Sequence, residues 1–267
     1  MLENRYKTGS NSPIRLHYQS LYSNEPPRYY FALQKLLPES LRNNILSYIN
    51  SNAFLSVEVL DRLLKKTIDE SQKLSKEENI VLADIGCGRG NLGRYIGEIC
   101  QATVVGIDWS VKFSKESKRL ICADICNIPI RNESINIAIA IDSIYMVDDV
   151  MMALHECRRI LKPFGLAILS IYDRIGLNSK KIDKSWWLNA FCESSFKIEE
   201  WLDCTEEWKT IMEIKHKNRL NAENDLLEQF GYSVLPELDV SRKMLGNLKT
   251  QGFLDVCSRW EVTLRAI

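Results

Sequence analysis

The chain has 267 residues, 45% hydrophobic and 26% charged, which is the balance of a folded globular protein and argues against extended disorder. Lysine plus arginine and aspartate plus glutamate both number 35, so there is no net field to draw in nucleic acid or an anionic membrane, and neither is expected as a partner. The longest apolar run, 137–141, is far below the roughly 18 residues of a membrane span. The start Met1-Leu2-Glu3-Asn4-Arg5 lacks the apolar core of an export signal, so a cytoplasmic location is expected.

The segment up to about residue 52 is tyrosine-rich and broken by Pro13, Pro26, Pro27 and Pro38, which predicts irregular or short-helical structure. Helical spacing of Val57, Leu60, Leu63, Leu64 and Ile68 predicts a helix over 56–72. Short β-rich runs then alternate with helical patterns. Strands are predicted at 80–85, 103–107, 119–122, 135–141 and 166–171, with helices at 91–100, 111–118 and 150–161. The run 135–141 is apolar enough for a central strand buried on both faces, and residues 162–165 should stop the preceding helix. Further on, a helix at 185–192, a strand at 196–201, one long helix over 206–230, a helix over 241–250 and a final antiparallel strand over 256–266 are expected. The alternation implies an α/β, doubly wound, mostly parallel sheet. Residues 1–55 read as a helical, aromatic cap, and residues 56–267 as the main domain with a lid insertion at about 204–245.

Eight cysteines include no C-x-x-C pair, and Cys122 with Cys126 has no second pair to complete a zinc site. No metal is expected, and most of the thiols should be small buried hydrophobes.

The residues that carry chemistry begin at Ala83-Asp84-Ile85-Gly86-Cys87-Gly88-Arg89-Gly90, between a strand and a helix. Three alternate glycines permit positive φ and let a ligand lie against the backbone and the helix N-terminus. Three positions after Gly88 stands Asn91, so the spacing is not that of a dinucleotide fingerprint. Asp84 would repel pyrophosphate but suits an ammonium or sulfonium. Asp108 ends the second strand 24 residues later, where a carboxylate can accept both hydroxyls of a ribose. Asp124 follows 16 residues on and can accept from an adenine amine while the Ile125 amide donates to a ring nitrogen.

These motifs resemble those of the class I S-adenosylmethionine-dependent methyltransferases, of the small-molecule type. That family carries D-x-G-x-G-x-G, an acidic residue ending the second strand, and an A-D-x-x-x-x-P segment, present here as Ala123 to Pro129. The likeness continues through Ile141-Asp142-Ser143-Ile144-Tyr145 and His155 to Gly165, departing at Phe164, where the family often has glycine. It implies a seven-stranded Rossmann-like sheet and S-adenosyl-L-methionine as cofactor. It places Asp84 and Gly86 near the methionine moiety, lets the cofactor pass Cys87, Gly88 and Gly90, gives ribose to Asp108 and adenine to Asp124 and Ile125, and turns Asp142 and Ser143 to the methyl-donor side. Trp109, followed by Ser110, could stack on adenine. Asp142 and Ser143 read equally as a helix cap, and His155 reads as a helix residue rather than a base.

On the acceptor side the aromatic residues near His17, including Tyr18 and Tyr22, together with Tyr29, Tyr30 and Phe31, could close over the cofactor or simply pin their segment. Tyr145 is the first choice as a pocket residue and a candidate catalytic group. Trp208, Met212 and His216 recur every four residues on one helical face, as core or as pocket, and His216 is the preferred base if one exists. The expected acceptor is a small molecule methylated on O, N or C. A macromolecular acceptor and a non-catalytic adenosylmethionine-binding sensor are the alternatives, and the protein is a monomer or homodimer.

Overall fold

The structure is a computed structural model and describes residues 28–37, 56–74, 79–110, 119–175, 181–247 and 250–267. Its helices are α1 (Arg28–Lys35), α2 (Val57–Leu74), α3 (Asn91–Cys100), α4 (Val150–Ile160), α5 (Lys184–Glu193), α6 (Thr205–Asn221), α7 (Glu223–Phe230), α8 (Leu235–Leu245) and α9 (Phe253–Val256). The strands of the main sheet are β1 (Val81–Ile85), β2 (Thr103–Asp108), β3 (Leu120–Cys122), β4 (Ile135–Ala140), β5 (Leu161–Tyr172), β6 (Phe196–Asp203) and β7 (Arg259–Ala266).

The seven strands run in the order β3-β2-β1-β4-β5-β7-β6. Pairings from β3 through β5 are parallel, and β7 lies antiparallel between β5 and β6. This is the doubly wound α/β class that the alternation of patterns implied, with the last strand reversed as expected. All six residues of β4 are buried. Ala138 and Ala140 pack with α4 and α5 through Leu154, Trp187 and Phe191, whereas Ile137 and Ile139 pack with α2 and α3 through Leu63 and Ile96. Two packed faces fix the register, because a one-residue slip would exchange them. The order reverses between β1 and β4, and a crevice opens at their carboxyl ends.

Four elements differ from the sequence expectation. The preceding helix ends at Ile160 and β5 begins at Leu161 rather than 166, so residues 162–165 belong to a strand that bulges against β4 between Ile135 and Ile137. Phe164 holds φ 62 there, with its side chain exposed and its carbonyl accepting from Arg265 at 2.9 Å. The single helix over 206–230 is two helices that meet at Ala222, because α6 packs Trp208 and Met212 toward the sheet while Leu226 of α7 packs on Tyr29 and Leu33 of α1. The following helix begins at Leu235 rather than 241, with Pro236 in its first turn and Gly246 (φ 70) ending it, and both are ordinary boundary signals. The final strand starts at Arg259 because α9 occupies Phe253–Val256.

Of the segment 1–55, residues 28–37 are described. Tyr18 and Tyr22 lie outside the described residues, as does the helix expected over 111–118. Cys100, Cys157, Cys204 and Cys257 are buried, but Cys122 and Cys192 are exposed, so burial accounts for fewer of the thiols than expected. Among the described residues no helix is long and apolar enough to cross a membrane.

Candidate functional site

The glycine loop between β1 and α3 is held to β2 by its own backbone. Gly86 and Cys87 both donate to the Ile107 carbonyl, at 2.7 and 3.1 Å, and Gly90 donates to Cys87 O at 2.8 Å. Gly86, Gly88 and Gly90 have φ of 77, 53 and 72, a region side chains rarely adopt, so the loop can turn this tightly only with glycine at these places. At Gly86 a Cβ would stand 2.1 Å from Ser143 Cβ, which shows how closely the ends of β1 and β4 approach.

Asp108, 7% exposed at the end of β2, ties the loop to the next turn. Its Oδ2 accepts the Gly88 amide at 2.8 Å and its Oδ1 accepts the Ser110 amide at 2.7 Å, with the Ser110 hydroxyl on the same oxygen. Asp84 instead points inward to α3, where Oδ2 accepts the Gly93 amide at 3.0 Å. Burial pushes its pKa up to about 7; the Gly93 amide opposes this and the charge of Asp108 adds to it. Burial likewise raises the Cys87 thiol well above its usual range.

A cleft opens at this edge, lined by Gly86, Asp108, Trp109, Ala123, Ile125, Asp142, Ser143, Met146 and Val147. Six of the residues named from sequence, Gly86, Asp108, Trp109, Ile125, Asp142 and Ser143, come together on its wall. Asp84, Cys87, Gly88, Gly90 and Ser110 shape the loop behind it. Asp124 stands between two wall residues while its Oδ1 accepts the Cys126 amide at 2.9 Å, closing its own turn. Ala123, Met146 and Val147 were missed. The last two reach the wall because a 3-10 turn over Ile144–Met146 folds the chain back, and the apolar residues after Asp142 and Ser143 were the available signal.

At the end of β4, Asp142 has φ 56, a strained conformation for a non-glycine residue. Its Oδ1 accepts from Tyr145 Oη at 2.9 Å and Ser170 Oγ at 3.4 Å, and lies 2.6 Å from Arg259 Nη1 in an ion pair. Ser143 Oγ donates to Ile85 O at 2.5 Å. Tyr145 is 1% exposed and stands behind Asp142 rather than on the wall; burial and then Asp142 raise its phenol well above the usual value. Its ring lies 4.0 Å from that of Tyr172, which stacks on Trp208 at 6.1 Å. No sequence signal pointed to Arg259, which faces Tyr172 only through the β5–β7 register.

The structure does not bring His216 to the cleft. It is 2% exposed in α6, with Nδ1 3.0 Å from Ser241 Oγ of α8. The Ser241 hydroxyl donates to Glu237 O at 3.1 Å, so the imidazole donates from Nδ1 to Ser241. Burial, then Lys215 and Arg219, press its pKa down to about 2. Trp208 and Met212 are core residues of the layer formed with Leu254 and Cys257.

Residues 83–169 match a family described as methyltransferase domain. The chain is 27% identical over 148 residues to the uncharacterized protein MJ0638 of Methanocaldococcus jannaschii, covering 54% of this chain and 61% of that one, so it spans less than two thirds of that relative. It is 24% identical over 194 residues to the 2-phytyl-1,4-naphtoquinone methyltransferase of Nostoc punctiforme, covering 67% and 83%. Among solved structures, the [4+2]-cyclase SpnF superposes with a TM-score of 0.61 at 18% identity over 78% of this chain and 81% of that one, a likeness of fold alone.

Proposed function

We propose, from the premise that this chain carries a methyltransferase domain on the class I fold, that it transfers a methyl group from S-adenosyl-L-methionine to a small molecule. The observation that carries the reading is Asp108. It is a buried carboxylate on the cleft wall, anchored by the glycine loop on one side and the Ser110 turn on the other.

The donor set suits that cofactor. Asp108 offers lone pairs to ribose hydroxyls. Ala123, Ile125, Trp109 and Val147 supply the apolar walls that an adenine ring needs. Asp142 and Ser143 stand at the β4 end, where a cationic methionine moiety finds a carboxylate. When bound, the cofactor supplies an electrophilic methyl on a sulfonium, and the protein's task is alignment and exclusion of water.

Neither His216, the preferred base, nor Tyr145, the other candidate catalytic group, is suited to take a proton at neutral pH. The Tyr145 phenol keeps its proton, and an imidazole with a pKa of about 2 has little drive to take one. The reading is therefore of an acceptor that brings its own lone pair, as a neutral amine or a carboxylate does. Similarity to a quinone methyltransferase and the balanced charge of the chain support a small acceptor over a macromolecule.

The test is transfer of isotopically labelled methyl from adenosylmethionine into a metabolite extract, followed by fractionation. Label in a discrete low-mass product is the expected result. Label in protein or nucleic acid would move the acceptor to a macromolecule, and saturable cofactor binding without transfer in any fraction would support a binding-only role.

A further inference from the structure

Behind Asp142 lies an arrangement that the cofactor cleft does not use. Arg259, 3% exposed, spends Nη1 on Asp142. Its guanidinium carbon stands 5.7 Å from the centre of the Trp208 ring. Among the described residues, neither Arg259 Nη2 nor Trp208 Nε1 has a hydrogen-bond acceptor, and both atoms are buried. Buried donors without acceptors are costly, and two of them on facing elements, β7 and α6, call for the same complement, an oxygen carrying negative charge. Around them the surface is aromatic. Tyr172 lies 6.1 Å from Trp208 and 5.6 Å from Phe253, centre to centre, and carries the arrangement forward to Tyr145 and Asp142.

We propose that Arg259 and Trp208 form the seat for an oxyanion, a carboxylate or a phosphate, borne by an otherwise apolar acceptor whose body lies among Tyr172 and Phe253. The inference rests on the methyltransferase reading and narrows its substrate class. Arg259 pairs with Asp142 through Nη1 alone and has Nη2 to offer the ligand, so a single arginine links the acceptor's charged end to a residue of the cleft wall. Arg259 and Trp208 are both buried, so a ligand reaching them requires α6 and α9 to move from the sheet.

The experiment is calorimetric titration of the full chain, first with S-adenosylhomocysteine and then, on the loaded protein, with hexanoate, hexyl phosphate and hexan-1-ol. Failure of the homocysteine step would tell against the methyltransferase reading, and the three probes are then titrated on the free chain, so the seat is judged separately. The proposal expects at least one acid to bind saturably, with the alcohol weaker by about tenfold or more, as loss of a charge-assisted bond implies. Preference between the two acids identifies carboxylate or phosphate as the natural group. Arg259→Gln should weaken acid binding by about tenfold or more and leave the alcohol unchanged. Should that variant lose its near-ultraviolet circular dichroism, Trp208→Phe carries the test, with a several-fold loss for the acid alone. Binding of neither acid, equal binding of acid and alcohol, or acid binding untouched in the folded variant would overturn the proposal.

Discussion

The Gly88 amide donates to Asp108 Oδ2 over 2.8 Å, and through that bond the carboxylate at the end of β2 holds the glycine loop that follows β1. One residue thus shapes the loop and faces the cleft. Asp108→Ala should weaken adenosylmethionine binding by about 1.5–3 kcal/mol, the worth of hydrogen bonds to a charged group, and lower the melting temperature of the free protein as the Gly88 and Ser110 amides lose their acceptor. Calorimetry and thermal unfolding check both halves. Unchanged affinity in a folded variant would refute the ribose assignment.

Asp84 gives the stability a specific pH dependence. Its carboxyl titrates near 7 in the folded chain and near 3.8 when unfolded, so between those values the native state holds the extra proton. Stability from this group is therefore greatest at low pH and falls as pH rises through 7, by up to about 1.4 kcal/mol per unit while the two states differ by one proton. His216 works in the opposite sense: with its folded pKa pressed to about 2, it destabilises the fold as pH drops below 6.5. Asp84→Asn should flatten the fall between pH 5 and 7.5 and be at least as stable as the wild type at pH 8. A melting curve series identical to the wild type's would show that Asp84 is ionised throughout.

Gly86 and Gly231 share a positive φ but not a neighbourhood. A Cβ at Gly86 meets Ser143 Cβ at 2.1 Å, while one at Gly231 meets nothing within 4 Å. Gly86→Ala should therefore cost more than about 3 kcal/mol or prevent folding, because backbone strain and a steric clash add. Gly231→Ala, at φ 58 and ψ −149, should cost about 1–3 kcal/mol, the strain alone. Denaturant unfolding of the two variants measures the difference, and equal losses would contradict the close approach of β1 and β4.

His216→Ala should cost about 2–3 kcal/mol through a cavity between α6 and α8 and the lost Ser241 bond. Turnover per folded molecule should change little, because His216 is buried against Ser241 away from the cleft, whereas removing a general base lowers turnover by about 100-fold or more. A loss of that size with an unaltered melting temperature would restore His216 as a base.

Much of this molecule could be read without coordinates because short-range physics writes it locally. Val81 to Ile85 reads as a strand from its apolar run, Gly90 and Asn91 mark a helix start, Asp108 ends a strand, and Ile125 lies in the turn after the next one, positions where the loop spacing leads ligand contacts to be expected. Gly86, Asp108, Trp109, Ile125, Asp142 and Ser143 reached the cleft wall for that reason. The break at Ala222 had no comparable signal. A helical pattern continues through it, and only the need of Leu226 to meet Tyr29 and Leu33 turns the axis. Residue type placed His216 among candidate bases, but burial against Ser241 decided that its imidazole stays neutral. Arg259 lies 117 residues from Asp142 in the chain, and no periodicity connects them. Antiparallel insertion of β7 beside β5 sets Arg259 opposite Tyr172, and the 2.6 Å ion pair with Asp142 behind the cleft wall follows from that register. Local sequence determined the strands, the loop and much of the cleft wall. The buried cluster around Asp142 and Arg259 belonged to tertiary structure, because desolvation and charge pairing are properties of what the folded chain brings alongside.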